Sequence, residues 1–321
     1  MKLILKMLIF SLMLINFQLR SQTGKISGVV YNESQDSAIV AAIDVNLIIY
    51  KGHNLVDDSS FSVKTDDKGK FEFSSLKTDS TLVYYPTASY KSIVYYGRPA
   101  RLTEKQNFMQ SDVAIYDTTS MADKIIFQLE HLFIDAEAGK LLFREIFIAN
   151  NIGNKTFIGK NYSQSDKHYV LQFPLPPNFE EVEILTPEAQ NWVYIDGGTL
   201  YHAELMSPGS RQFSYRFQVP YKKTEWQLSR PISYPIGAVN IFVSNPELTL
   251  EGPGVMPQGE FPIRGKSYQR YYVSHIMPGM TLELTIENLP SGTVSVEWIV
   301  IIVVVVLLVV GFGYTLKKSK S

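Results

Sequence analysis

The chain contains no cysteine. Disulfide staples, thiol nucleophiles and thiolate metal sites are therefore excluded, and so is the acylated cysteine that would anchor a lipoprotein. Compact catalytic signatures are also missing: there is no H-E-x-x-H, no G-x-S-x-G elbow, no phosphate loop and no G-x-G-x-x-G. His53, His131, His168, His202 and His275 stand singly along the chain. No catalytic residue, cofactor or metal ligand is thus assigned from sequence. The expectation is a protein that is not an enzyme, with a hydrolase of unrecognised site as the weakest alternative.

Positive charge is scarce between the two ends. The whole chain has 30 basic and 31 acidic residues. Lys2, Lys6 and Arg20 lie at the start, and Lys317, Lys318 and Lys320 at the finish. Without them the remainder carries about −7, which argues against a nucleic-acid partner, whose phosphates need a basic surface.

What is present at those ends is apolar. Lys2 and Lys6 precede the apolar run Met7 to Phe17, followed by polar Gln18, Arg20, Ser21 and Gln22. The run is too short for a bilayer crossing of roughly 20 residues, and the order is that of a secretory signal, here 1–22. Residues 298–316 read WIVIIVVVVLLVVGFGYTL, uncharged throughout and followed at once by lysines. At 1.5 Å per residue such a helix spans about 28 Å, close to the hydrocarbon thickness. Trp298 and Tyr314 fall where interfacial aromatics belong. The basic tail 317–321 marks the cytoplasmic side, so the expected protein is single-pass, with an extracytoplasmic ectodomain held to membrane lipid by its C-terminal helix.

Between these ends the pattern is that of strands. Ile43, Val45, Leu47 and Ile49 alternate with less apolar neighbours, as do Phe213, Tyr215, Phe217 and Val219. Period-two alternation turns one face inward. In SFSVKTDDKGKFEFSSL, Asp66, Asp67, Lys68 and Gly69 separate two such runs, which predicts a hairpin with Gly69 at positive φ. The acidic pair lacks the D-x-D-x-D-G spacing of a calcium loop, so turn chemistry is the better account. A second hairpin is expected where DKIIFQLEHLFID and LLFREIFIANN flank AEAGK. Pro174, Pro176, Pro177, Pro187, Pro208, Pro220, Pro231 and Pro235 fall between or at the ends of the runs.

The segments SGVVYN, AAIDVNLIIY and TDDKGKFEFSSL resemble the carboxypeptidase regulatory-like family, a small prealbumin-like β-sandwich. The resemblance covers about the first third of the mature chain. It implies a fold and is nearly silent on activity, because the family's name comes from an accessory domain beside metallocarboxypeptidases. No His here precedes a Glu at the H-x-x-E spacing of their zinc site. The wider arrangement is similar to bacterial envelope proteins that carry such a domain before a membrane anchor, some associated with cytochrome c maturation or other envelope assembly. The chain has no C-x-x-C-H for covalent haem. The sequons at Asn32, Asn154 and Asn161 matter only in a eukaryotic secretory route, against which the bacterial resemblance argues.

The expected architecture is mostly β: two β-sandwich domains in tandem, 23–118 and 119–290, a juxtamembrane linker 291–297, and one transmembrane helix 298–316. The expected function is a membrane-anchored scaffold engaging an envelope protein complex, with a carbohydrate or cell-wall binding module as the alternative. Tyrosine clusters at Tyr84 and Tyr85, Tyr90, Tyr95 and Tyr96, and Tyr268, Tyr271 and Tyr272 either stack on a ligand or alternate into the core. Arg98 and Arg101 beside Tyr95 and Tyr96 make that strand end the candidate binding surface.

Overall fold

The computed structural model describes residues 23–57, 61–137, 139–161 and 168–290. The expected signal peptide, juxtamembrane linker, membrane helix and tail lie outside the described residues. Among the described residues no helix is long and apolar enough to cross a membrane. The chain is mostly β and divides into two compact units, the first ending at Asp117 and the second beginning at Thr118.

The first unit is a sandwich of two small sheets. Gly24–Asn32 is the middle of one, paired antiparallel with Lys70–Leu76 and parallel with Phe108–Gln110 and Val113–Ile115. Asp44–Lys51 is the middle of the other, paired antiparallel with Leu82–Tyr90, Asn54–Asp57 and Ser62–Lys64. Ile93–Tyr96 extends that sheet beyond Leu82–Tyr90. Alternation buries Val45, Leu47 and Ile49 from one sheet against Ile26, Val30, Phe71 and Phe73 from the other. Gly28 is required where the strands crowd: a Cβ there would lie 2.2 Å from the Ser111 carbonyl oxygen and 2.6 Å from the Phe71 ring.

The turn at Asp66 to Gly69 forms as expected, but the hairpin does not. Gly69 has φ +67, and the Asp66 carboxylate accepts hydrogen bonds from the Lys68 and Lys70 amides at 2.8 Å each. These amides hold its pKa below the usual range, the Lys70 bond most of all. Yet Ser62–Lys64 pairs with Asp44–Lys51, while Lys70–Leu76 pairs with Gly24–Asn32. The turn hands the chain from one sheet to the other.

The second unit is built on a seven-stranded sheet in the order Glu180–Ile184, Gly209–Pro220, Lys140–Asn151, Ile125–Glu137, Ile236–Val243, Lys266–Ile276 and Met256–Ile263. The long hairpin expected around residue 139 is its centre, with Ile125 to Glu137 opposite Asn151 to Lys140. Two three-stranded sheets supply the second layer. One is Leu171–Pro174, Thr199–His202 and Val193–Asp196; the other is Trp226–Pro231, Thr281–Glu287 and Thr249–Glu251. Phe213, Tyr215, Phe217 and Val219 all face inward, as their alternation requires, and join Phe127, Phe147 and Phe173 in one aromatic core.

Candidate binding surface

The outer face of the Asp44–Lys51 sheet carries a ladder of tyrosines. Tyr50, Tyr85 and Tyr96 come from three adjacent strands, where antiparallel register puts Ile48 opposite Tyr85 and Thr87 opposite Tyr96. Tyr50 and Tyr85 meet edge to face with centroids 5.8 Å apart, and Tyr85 and Tyr96 do so at 6.4 Å. Edge-to-face contact between such rings adds about 0.5–1.5 kcal/mol beyond burial and holds them in place. Tyr96 is nevertheless 58% exposed. Partial burial, with Tyr50 adding to it, raises the Tyr96 hydroxyl pKa.

Aliphatic side chains continue the patch on both sides. Leu55 lies opposite Tyr50 in the register and Val94 lies two residues before Tyr96 on the same face; both are about half exposed. Val56 is exposed beside Leu55. Single exposed apolar residues mean little, but Leu55 and Val94 share one face with the tyrosine ladder, which makes that face the candidate binding surface.

The four residues singled out from sequence do not form one cluster around this face. Tyr96 belongs to the ladder. Tyr95, its neighbour, points the opposite way into the core, and its hydroxyl donates to the Tyr116 carbonyl at 2.9 Å. Arg98 is exposed and its carbonyl accepts from the Ser111 hydroxyl, while Arg101 reaches the Ser80 carbonyl at 3.3 Å. Tyr84 is buried and Tyr85 is in the ladder, the same alternation one strand earlier. Nothing in the sequence marks Tyr50 or Leu55, because each stands apart from the tyrosine clusters.

The second unit holds a buried charge cluster. Arg230 donates from Nη2 to both oxygens of Glu130 at 2.7 Å and from Nη1 to Glu145 at 2.9 Å. The Tyr215 hydroxyl donates to the same Glu145 oxygen at 2.8 Å. Burial pushes Glu145 up to about 7, against the pull of Arg230. Burial works to lower the Arg230 pKa, and Glu130 and Glu145 more than offset it. The adjoining cavity, lined by Phe127, Phe147, Phe173 and Tyr234, has a volume of about 20 Å³. That is room for one water-sized group. The cluster joins the two layers. Among the described residues no group of three His, Asp or Glu side chains is placed to hold a metal.

No family model matches the chain, and no curated protein matches it. Among solved structures, the major pilin subunit of Bacillus cereus aligns over 84% of this chain and 85% of its own, at 12% identity and a TM-score of 0.21. A similarity that low carries no argument, and the fold rests on the strands described above.

Proposed function

We propose that this chain is a non-enzymatic, membrane-anchored scaffold whose first β-sandwich docks an extracytoplasmic protein partner through the Tyr50, Tyr85 and Tyr96 face. The carrying observation is the Tyr96 ring, 58% exposed yet held edge to face by Tyr85. A rigid aromatic side chain presented this way loses little entropy on binding, which is why tyrosine is enriched among interface anchors.

The ring geometry favours a protein over a sugar chain. Successive rings stand at 86° and 82° to one another, so they form no continuous flat platform on which sugar rings stack. Leu55, Val56 and Val94 add aliphatic surface and no hydrogen-bonding groups. The apolar run 298–316 and the lysines after it support an ectodomain held at a membrane. The segments SGVVYN, AAIDVNLIIY and TDDKGKFEFSSL support a carboxypeptidase regulatory-like first unit, and the envelope proteins that share this arrangement point to an envelope assembly as the partner.

The test is in-cell crosslinking of the tagged full-length chain, with the adducts identified by mass spectrometry and compared with those of the Tyr85→Ala/Tyr96→Ala variant. A defined envelope protein recovered from the parent and lost from the variant supports the scaffold. Equal recovery from both rejects this face as the docking surface. Glycan retention that disappears with the same variant would replace the protein partner by a carbohydrate.

A further inference from the structure

A separate groove lies on the outer face of the seven-stranded sheet, with a volume of about 360 Å³. That is within the span of small-ligand clefts, about 300–1,000 Å³. Its floor contains an unusual juxtaposition: Arg144 and Arg216 are direct cross-strand neighbours on one face. Like charges placed opposite one another destabilise a sheet unless something neutralises them. Arg216 is neutralised by Glu183, whose carboxylate accepts from its Nε at 2.8 Å. Arg144 is not. Its guanidinium lies over the Phe133 ring, 4.1 Å from the centroid, and it has no carboxylate partner among the described residues. The stacking fixes the guanidinium plane and leaves its N–H edge free.

A second donor is held in the same groove. Gln218 is only 6% exposed; its oxygen accepts weakly from Lys140 at 3.4 Å, and its Nε2 has no hydrogen-bond partner. A buried amide N–H without an acceptor costs about 1–3 kcal/mol, and a ligand oxygen would satisfy it. Opposite these donors the edge strand bulges between Glu180 and Glu183 and puts Glu181 at φ +51, a conformation a glutamate rarely adopts. Such strain concentrates at sites of function. The bulge brings Glu181 to the groove, with Asp135 and Tyr268 forming other parts of its wall.

We propose that this groove binds a carboxylate-bearing sugar, a uronate residue of an acidic glycan. The Arg144 fork donates to the sugar carboxylate, the Gln218 amide donates to a ring or carboxylate oxygen, and Glu181 and Asp135, the latter already paired with Lys266 at 3.0 Å, accept hydrogen bonds from sugar hydroxyls. Tyr268 faces the apolar side of the sugar ring. An acidic peptide fits less well, because its successive carboxylates would meet Glu181, Glu183 and Asp135. A uronate presents one charge per ring among several hydroxyl donors. The proposal is independent of the tyrosine face in the first unit.

The experiment is calorimetric titration of the full chain in detergent micelles with tetragalacturonate, its methyl ester, and tetraglutamate. Binding of the free acid, loss of it on esterification, and a drop of roughly tenfold or more in Arg144→Gln are expected, the size of one lost charge-assisted contact. Gln218→Leu should weaken binding severalfold while leaving the salt dependence unchanged. Circular dichroism of both variants confirms that they fold. Failure of the free acid to bind, equal binding of acid and ester, or unchanged affinity in a folded Arg144→Gln variant would each overturn the proposal. Tetraglutamate binding as tightly as the sugar would assign the groove to acidic peptides instead.

Discussion

Arg230 and Glu130, a hundred residues apart, form a buried ion pair in which one guanidinium nitrogen lies 2.7 Å from both carboxylate oxygens. Glu130 belongs to the seven-stranded sheet and Arg230 to a three-stranded sheet of the opposing layer, so the pair fastens the two layers. Removing the cation would leave Glu130 and Glu145 uncompensated in the core. Arg230→Met is therefore expected to cost about 3–5 kcal/mol, whereas replacing Arg230, Glu130 and Glu145 together by apolar residues of similar volume is expected to recover most of that loss. Chemical denaturation of the single and triple variants decides it. A triple variant as unstable as the single one would contradict the account.

Glu145 makes the second unit more stable in mild acid. Its carboxyl titrates near 7 in the fold, raised from 4.5. Between those values the folded chain holds a proton that the unfolded chain has released. The contribution is complete below pH about 4.5 and is lost as pH rises through about 7, on the order of 3 kcal/mol. Glu145→Gln keeps an acceptor for Tyr215 and should flatten stability between pH 5 and pH 8. An unchanged slope in that variant would show that Glu145 is not the titrating group.

His202 works in the opposite direction. It is buried against Phe213, with ring centroids 5.0 Å apart, and its Nδ1 has no hydrogen-bond partner. Burial, helped by Arg211, lowers its pKa to about 4. Its contribution is present above pH 6.5 and is lost as pH falls toward 4. His202→Phe should raise stability at pH 5 by about 1–2 kcal/mol relative to the parent and change little at pH 8. Paired melting curves at the two pH values test this.

Gly28→Ala should unfold or severely destabilise the first unit, by about 2–3 kcal/mol or more, because the added methyl meets the Ser111 backbone carbonyl at 2.2 Å. The second unit should keep its own transition. Two resolved transitions in calorimetry, with only one shifted, is the expected result.

The strands were legible where alternation is clean, as in Phe213, Tyr215, Phe217 and Val219. The buried charge cluster was not. A β-bulge between Phe127 and Leu129 shifts the inward set of that strand, so Glu130 points into the core where unbroken alternation would place Leu129 and His131. The Asp66 to Gly69 turn is legible in the sequence and its consequence is not, since the same local hydrogen bonds serve a hairpin or a crossing between sheets. Of the tyrosine ladder, Tyr85 and Tyr96 stand in clusters visible in the sequence, and Tyr50 does not. Adjacent tyrosines in a strand face opposite ways, and the true neighbours of Tyr96 are set by register with residues far off in sequence.

The tyrosine face is tested most directly by a photo-crosslinking side chain introduced in cells at Val94, on that face, and at Lys70, exposed on the other sheet of the same unit. A discrete adduct to one envelope protein from Val94, absent from Lys70 and abolished by Tyr85→Ala/Tyr96→Ala, is the expected result. Equal adducts from both positions, or an adduct from Val94 that survives loss of the two tyrosines, would contradict the docking surface proposed for this unit.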